Sequence, residues 1–192
     1  MEPGTAYGTH GHENEVNGHA PGDLELVRSF VSLHDHPDAG RDSLPPSGAT
    51  IDAWLRAHGM ISSPASAQDL DRAASVLDDL RSTAIGEATE EHRERLNEAA
   101  RRGGVSLCFA CIGDEPIHAS AEGVDGALGR LLGITFLAEL DGSWDRLRGC
   151  ANPVCRTVFW DRSKNRSGRW CSMGSCGNKA KVRAYRERAA AL

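Results

Sequence analysis

The sequence predicts a predominantly helical α+β protein, in which a helical N-terminal domain with a small β-hairpin precedes a C-terminal module of treble-clef-like order. Three observations lead to this fold class. Apolar residues recur at helical spacing over most of the chain between residues 50 and 140. A β-like apolar run interrupts them at residues 105–112, and a turn sequence follows it directly. Two close cysteine pairs then occupy the last fifty residues.

The chain begins without a recognisable core. Residues 1–22 are rich in Gly, His and Glu and almost free of apolar residues, which predicts a disordered tail. The fold is expected to start at Asp23–Asp35, whose apolar residues fit either a strand or a short helix. Proline and glycine residues within 37–48 predict a loop after it.

Two amphipathic helices are predicted after this loop. Thr50 can cap the first helix, which Gly59 ends. Ser66, with Asp69 three residues later, resembles a capping signal for the second helix. The residues expected to form the two buried stripes are Ile51, Trp54 and Leu55, and then Leu70, Ala73, Ala74, Leu77 and Leu80.

A charged helix and a hairpin come next. The helix is predicted near Glu87–Arg102, and Gly103 and Gly104 stop it. Val105–Ile112 is β-like, the chain turns at residues 113–116, and Ile117–Ala121 can pair back as the second strand.

A long helix from about Gly123 to Leu140 completes the N-terminal domain. Gly129 and Gly133 within it would let another element approach closely. Gly142 and Ser143 mark the boundary, so residues 23–143 form one domain and residues 144–192 the C-terminal module. The expected buried face of the helix consists of Leu128, Leu131, Leu132, Thr135, Phe136 and Leu140.

The C-terminal module carries four cysteines in two pairs of equal spacing, Cys150-x4-Cys155 and Cys171-x4-Cys176, with no histidine between or after them. Each pair is tight enough to bring two thiolates to one ion. Four sulfur ligands without an open position are typical of a structural zinc site. The sequence therefore predicts one structural Zn²⁺, with free or disulfide-linked cysteines as the alternative.

The absence of an apolar run near the N-terminus helps to decide between a zinc site and disulfide bonds. Residues 1–4 read Met-Glu-Pro-Gly without a following apolar run, and no stretch reaches about 18 apolar residues. We therefore expect a cytoplasmic protein without membrane association. In that compartment paired cysteines favour metal binding over disulfides.

The charge is divided unevenly along the chain. Residues 146–192 contain 12 Lys/Arg against 2 Asp/Glu, which leaves 10 Lys/Arg against 25 Asp/Glu for residues 1–145. Four thiolates and one Zn²⁺ would lower the positive charge of the module only by about 2. A metal-bound basic module on an acidic body predicts a polyanionic partner.

The module also resembles a known family. Between the pairs it reads Phe159-Trp160-Asp161-Arg162, then Arg169-Trp170-Cys171, and the last cysteine opens Cys176-Gly177-Asn178-Lys179. Over about Leu147 to Arg188 this resembles the CGNR zinc finger, which is found at the C-terminus of bacterial proteins assigned to transcription regulation. Lys179 stands where the name motif has Arg, which keeps the charge but not bidentate recognition.

The upstream part is similar to the ABATE domain, described as a stress-induced regulatory domain. The Trp54-Leu55-x3-Gly59 segment resembles an early helix of that family. Ser32-Leu33-His34 stands where the family often has an Asn-Thr pair. The resemblance implies a domain that senses a small-molecule effector or forms a homodimer, and it implies regulation of transcription.

We expect double-stranded DNA to be the polyanion. Arginine can engage guanine through two hydrogen bonds while other cations bind phosphates. RNA binding, docking onto the acidic domain and binding of another protein remain alternatives. The candidate DNA contacts are Arg162, Lys164, Arg166 and Arg169 in the loop before the second pair, and Lys179, Lys181, Arg183, Arg186 and Arg188 on a helix from about Asn178 to Ala191.

Other residues receive simpler interpretations. Phe159 and Trp170 are expected in the small core around the metal, whereas an exposed Trp160 could stack on bases. Cys108 and Cys111 are expected to be buried apolar residues, with a redox sensor as the alternative. No Ser/His/Asp order, phosphate-binding glycine loop or HExxH motif is present, so we expect no enzyme.

Overall fold

A computed structural model describes residues 18–35, 43–109 and 116–190 of the chain. This part is mostly helical and contains two separate antiparallel hairpins, which confirms the predicted α+β class. The elements in chain order are α1 (Leu24–Val31), α2 (Gly48–Ala57), α3 (Ala67–Ala84), α4 (Glu90–Arg102), β1 (Val105–Leu107), β2 (Ile117–Ala119), α5 (Gly123–Leu140), β3 (Leu147–Gly149), β4 (Val158–Trp160) and α6 (Asn178–Ala190).

Polar caps set the helix starts. The undecided segment after Asp23 is helix α1. Helix α2 begins earlier than predicted, because Ser47 and not Thr50 is its N-cap and accepts the Thr50 N–H at 3.3 Å. The Thr50 hydroxyl instead donates to Asp35 Oδ1 at 2.6 Å. At α3, Ser66 and Asp69 form the predicted reciprocal capping box.

The core lies between α1, α2, α3 and α5. The Phe30 and Trp54 rings pack with centroids 5.1 Å apart, and the predicted stripes of α2 and α3 contribute to this core, with Leu70 and Ala74 only partly buried. The largest side chains that are fully buried in it are Phe30, Ile51, Leu55, Leu77, Leu80, Leu128 and Leu131.

The predicted buried face of α5 is wrong at two of its residues, Phe136 and Leu140, which are 53% and 71% exposed. Four residues turn the helix by slightly more than one full turn, so the line from Leu132 through Phe136 to Leu140 drifts away from the core. Thr135 and Ala138, which continue the stripe at intervals of three and four, stay buried. No helix in the described part of the chain is long and apolar enough to cross a membrane.

Glycines allow α4, α5 and the β1–β2 hairpin to approach closely, as predicted for Gly129 and Gly133. A Cβ atom on Gly103, at the end of α4, would lie 2.7 Å from Gly129 Cα and 2.8 Å from the Asp125 carbonyl oxygen. A Cβ on Gly133 would lie 3.0 Å from Ile117 Cγ2 on β2. These contacts leave no room for side chains at the crossing.

We expect Gly103→Ala to destabilise the protein by about 1–3 kcal/mol, because backbone atoms, which cannot rotate away, occupy the space that the added methyl group needs. Urea unfolding followed by circular dichroism measures the change. Gly18→Ala is the matched control, since nothing lies within 4 Å of its added Cβ, and its effect should stay within about 0.5 kcal/mol. Equal stability of both variants would contradict the close crossing.

The β3–β4 hairpin is docked onto the helical body. Leu147 and Val158 belong to the same buried cluster as the residues of α1 and α3. The Ser32 hydroxyl, just after α1, donates to the Val158 carbonyl oxygen at 2.7 Å and accepts the Val158 N–H at 3.1 Å. Arg28 Nη1 donates to the same carbonyl oxygen at 3.2 Å. Backbone and side-chain contacts thus join the C-terminal module to α1.

The N-terminal segment adds to this contact. Gly18 pairs with Trp160 of β4 through two backbone hydrogen bonds of 3.1 and 3.3 Å, and Ala20 is buried. Contacts therefore begin at Gly18, inside the segment of residues 1–22 that was predicted to be a disordered tail. Residues 1–17 lie outside the described residues.

Candidate metal centre and nucleic-acid interface

The fold brings the two cysteine pairs together from separate segments. Cys150 and Cys155 lie in the loop that joins β3 to β4, and Cys171 and Cys176 lie at the turn that leads into α6. The Ala151 N–H donates to the Arg169 carbonyl oxygen at 2.7 Å, which ties the two segments to each other. This order of knuckle, hairpin arm and ligands at a helix start matches the predicted treble-clef-like module.

The four sulfur atoms have the spacing of a tetrahedral site. All four Sγ atoms lie within 4.8 Å of one another. Cys171 Sγ lies 3.7 Å from Cys155 Sγ and 3.8 Å from Cys176 Sγ. A tetrahedron with Zn–S bonds of about 2.3 Å has S–S edges of roughly 3.8 Å. The four cysteines are therefore positioned to bind one zinc ion, as predicted.

Hydrogen-bond donors surround the sulfur atoms. Asn152 Nδ2 donates to Cys176 Sγ at 3.5 Å, and Thr157 Oγ1 lies 3.4 Å from Cys155 Sγ, where its hydroxyl can donate to a thiolate. Backbone N–H groups of Asn152 and Cys171 also point at Cys150 Sγ. Such donors disperse the negative charge that four thiolates bring to a metal.

Hydrogen bonds among the sulfur atoms shift the pKa values of three of the four cysteine thiols. Hydrogen bonds with Cys150 and Cys171 lower the pKa of the Cys155 thiol. The hydrogen bond to Cys155 raises the pKa of the Cys150 thiol to about 11, and bonds to Cys150 and Cys155 raise the pKa of Cys171. Zinc binding displaces thiol protons, which couples metal affinity to pH.

The geometry agrees with one comparison to known families. Residues 146–189 match the CGNR zinc finger. The match begins at Arg146, so helices α1 to α5 and the β1–β2 hairpin lie outside it. No curated protein matches the chain.

A buried carboxylate shapes the basic loop of this zinc finger, which we define as residues 162–169. Asp161 is fully buried and accepts the backbone N–H groups of Ser163 at 2.8 Å and Gly168 at 2.7 Å. Burial alone would raise its pKa, but the hydrogen bonds from Ser163 and Gly168, with the charge of Arg148, hold the pKa below its usual range. Asp161 therefore carries a charge at neutral pH and holds both ends of the loop.

The four candidate cations of the basic loop are exposed, but they differ in their contacts. Arg166 pairs with Asp145 at 2.9 Å, and Arg169 stacks on Trp170 with its guanidinium carbon 5.4 Å from the ring centroid. Arg162 Nη2 donates to a backbone carbonyl oxygen of the N-terminal segment at 3.4 Å. Lys164 is left as the most available cation of this loop.

The five candidate cations of α6 have fewer contacts. The helix has no buried residue along its 13 residues. Within residues 18–35, 43–109 and 116–190 we find no ion pair to any of its cations. The cations, all exposed, are Lys179, Lys181, Arg183, Arg186 and Arg188.

The aromatic residues have mainly structural roles. Phe159 is 2% exposed, which confirms its predicted place in the interior. Trp160 is half-buried against the main core, and the Arg146 guanidinium carbon lies 6.0 Å from its ring centroid. Trp160 is therefore not the exposed side chain that the base-stacking alternative requires. Trp170 is half-buried beneath Arg169.

Three residues around the metal centre and the basic loop were not predicted from the sequence, and the prediction for one cysteine was wrong. Asn152 and Thr157 carry no recognisable signal, whereas Asp161 could have been noticed as an isolated acid in a basic segment. Cys108 is only half-buried and is disulfide-bonded, so its prediction as a buried apolar residue is wrong. Cys111 lies outside the described residues.

Proposed function

We propose that this protein is a zinc-dependent, DNA-binding transcription regulator. The observation that carries the proposal is helix α6, which places five exposed cations, none with an acidic partner in the described part of the chain, beside a four-cysteine metal centre. Phosphates of double-stranded DNA are the natural counter-charges for such a helix, because displaced counterions make the association favourable. An α-helix also fits the major groove, which is about 12 Å wide.

The charge contacts of the module argue against docking of α6 onto the acidic body. Arg156 pairs with Asp78 of α3 at 3.4 Å, and Arg166 pairs with Asp145. Arg156 therefore pairs with the body and Arg166 with an acid of the module itself, whereas the cations of α6 have no acidic partner among the residues that the structure describes. This leaves α6 available to a separate polyanion.

The N-terminal domain is proposed to sense an effector or to form a homodimer, in the manner of the ABATE domain that it resembles. A cavity of about 930 Å³ lies between the α2–α3 loop, β2 and the start of α5. Its apolar lining includes Ile61, Ile117 and Val124, and Arg130 contributes a charge. This size suits a small ligand. A single finger offers a small interface, so a dimer would supply the specificity that a regulator needs.

We further propose that the protein acts in the cytoplasm without catalysing a reaction. The metal centre then has a structural role, because its four sulfur ligands fill the coordination sphere of Zn²⁺ and leave no position for water or substrate. Binding of RNA or of a protein partner remains the competing function.

Binding of the zinc-loaded full-length protein to a random duplex pool at several salt concentrations tests the proposal. We expect affinity to fall steeply with salt, and the triple change Lys179→Gln, Arg183→Gln and Arg186→Gln to reduce the slope of log K against log salt by about 3. The matched control removes three exposed arginines of the body, Arg56, Arg93 and Arg101, and should leave the slope unchanged.

Three results would contradict the proposal. Equal effects of the two triple variants would mean that α6 is not the site of contact. Preference for single-stranded RNA over duplex DNA at the same salt would favour the RNA-binding function instead. Absence of salt-dependent binding to either nucleic acid would favour a protein-interaction module.

A further inference from the structure

Helix α6 presents a narrow strip of uncharged residues that nothing in the described chain covers. Val182 is 44% and Tyr185 68% exposed, although both are large and apolar enough to belong in a core. Together with Asn178 and Ala189 they recur at intervals of four, three and four residues, which places them on one line along the helix. We call this line the α6 strip. Exposed apolar residues in such an arrangement mark an interaction surface.

Cations border the α6 strip on both sides. At 3.6 residues per turn, Lys181 and Arg188 fall on one side of the strip, and Lys179 and Arg186 fall on the other. Arg183 lies further around the helix beside Lys179, and the single acidic residue of the helix, Glu187, falls on the side opposite the strip. The partner of this surface must therefore offer negative charge along both edges and neutral groups in the middle.

The major groove of DNA has that arrangement, with base edges along its floor and a phosphate strand on each side. We propose that the α6 strip reads base edges in the major groove, while the bordering cations bind phosphates of the two strands. This inference rests on the proposed DNA binding and deepens it, since it assigns sequence specificity to neutral residues and not to the arginines.

The side chains of the strip indicate which bases are read. An asparagine amide matches the two hydrogen-bonding groups that adenine shows in the major groove, and Val and Ala side chains suit the thymine methyl group. From Asn178 to Tyr185 the helix rises about 10 Å, which corresponds to roughly three base pairs. We therefore expect a short recognition element that contains A·T pairs.

The zinc centre fixes the direction from which this strip approaches. Asn178 follows Cys176 by two residues, and the turn Met173–Gly177 that contains this ligand runs directly into α6. The Ser172 hydroxyl accepts the Ser175 N–H at 3.1 Å, and the Gly177 N–H donates to the Ser172 carbonyl oxygen at 2.9 Å. The first turn of the helix is thus held by the metal site, which gives the strip a defined orientation.

The test compares the zinc-loaded full-length protein with Asn178→Ala, Val182→Ser and Tyr185→Ala on a duplex selected from a random pool and on a scrambled duplex. We expect each change to lower the ratio of the two affinities about tenfold, since a lost base contact removes discrimination. The salt slope should match that of the wild type, because no charge is removed. Ala184→Ser, on another face of α6, is the control and should keep the ratio.

The outcomes separate this inference from the proposed function. If the wild-type protein selects one sequence but all three variants keep the wild-type ratio of affinities for the selected and scrambled duplexes, the inference is overturned and DNA binding stands. A wild type that binds every duplex equally, but with steep salt dependence, would overturn the inference as well. If the wild-type protein binds no duplex, the proposed function itself is wrong. Capture of an acidic protein through Tyr185 would then identify a different partner.

Discussion

Replacement of Cys171 by Ser is expected to abolish zinc binding and DNA binding together and to lower the stability of the whole protein. Cys171 lies within 3.8 Å of two other ligand sulfur atoms, so its loss opens the tetrahedron. At a free zinc concentration of about a thousand times Kd, the ion contributes about 4 kcal/mol to folding. For a chain of this size that corresponds to a fall in Tm of roughly 10 °C.

The effect should reach the helical body because Leu147 and Val158 of the hairpin lie in the same core as α1 and α3. Zinc content per chain, calorimetric Tm and duplex affinity are the measurements. A chelator added to the wild type should reproduce all three changes. Val154→Ala, at an exposed position beside Cys155, is the control and should retain the ion.

Two results would contradict this expectation. A Cys171→Ser protein that still holds one tightly bound zinc ion would mean that the ligand set is different. Loss of zinc without any change in the Tm of the body would mean that the hairpin is not coupled to α1 as its hydrogen bonds indicate.

The second large effect is expected for Asp161→Ala, which should cost about 3–5 kcal/mol of folding free energy. The substitution removes two hydrogen bonds to a charged acceptor, each of which contributes about 1.5–3 kcal/mol, and leaves the Ser163 and Gly168 amides without their partner. Urea unfolding in the presence of zinc measures the loss. The basic loop should also become more accessible to proteases, since Asp161 holds both of its ends.

Asp145→Ala is the matched control for this prediction, because Asp145 is also an acid of the module but is exposed and pairs with Arg166 at the surface. Its effect should stay below about 1 kcal/mol. Similar losses for the two variants would mean that the buried carboxylate does not organise the loop.

Features of the fold that depend only on residues close together in the sequence could be predicted from the sequence. The capping box at Ser66 needs contacts only within one helical turn, and the bounds of α5 follow from the glycines near its two ends. The four ligands were predictable because their spacing reflects the geometry of one ion. In each case the physical cause lies within a few residues of the signal.

Other features depend on partners far away in the sequence and could not be predicted. Whether Ser47 or Thr50 caps α2 is decided by Asp35, which takes the Thr50 hydroxyl. The docking of the hairpin depends on the Ser32 hydroxyl, which lies 126 residues from Val158. The basic loop looked uniform in the sequence, but the position of Asp145 removes Arg166 from the set of free cations.

The continuous core beneath the β3–β4 hairpin has a consequence for how this finger can be inherited or engineered. Trp144, Leu147 and Val158 are all nearly inaccessible to solvent, and helices of the body cover them. A fragment that begins at residue 144 would expose these three apolar side chains to water. The zinc finger therefore cannot be transferred alone to another protein. A recombinant regulator that contains it must also supply a surface shaped like α1 and α3.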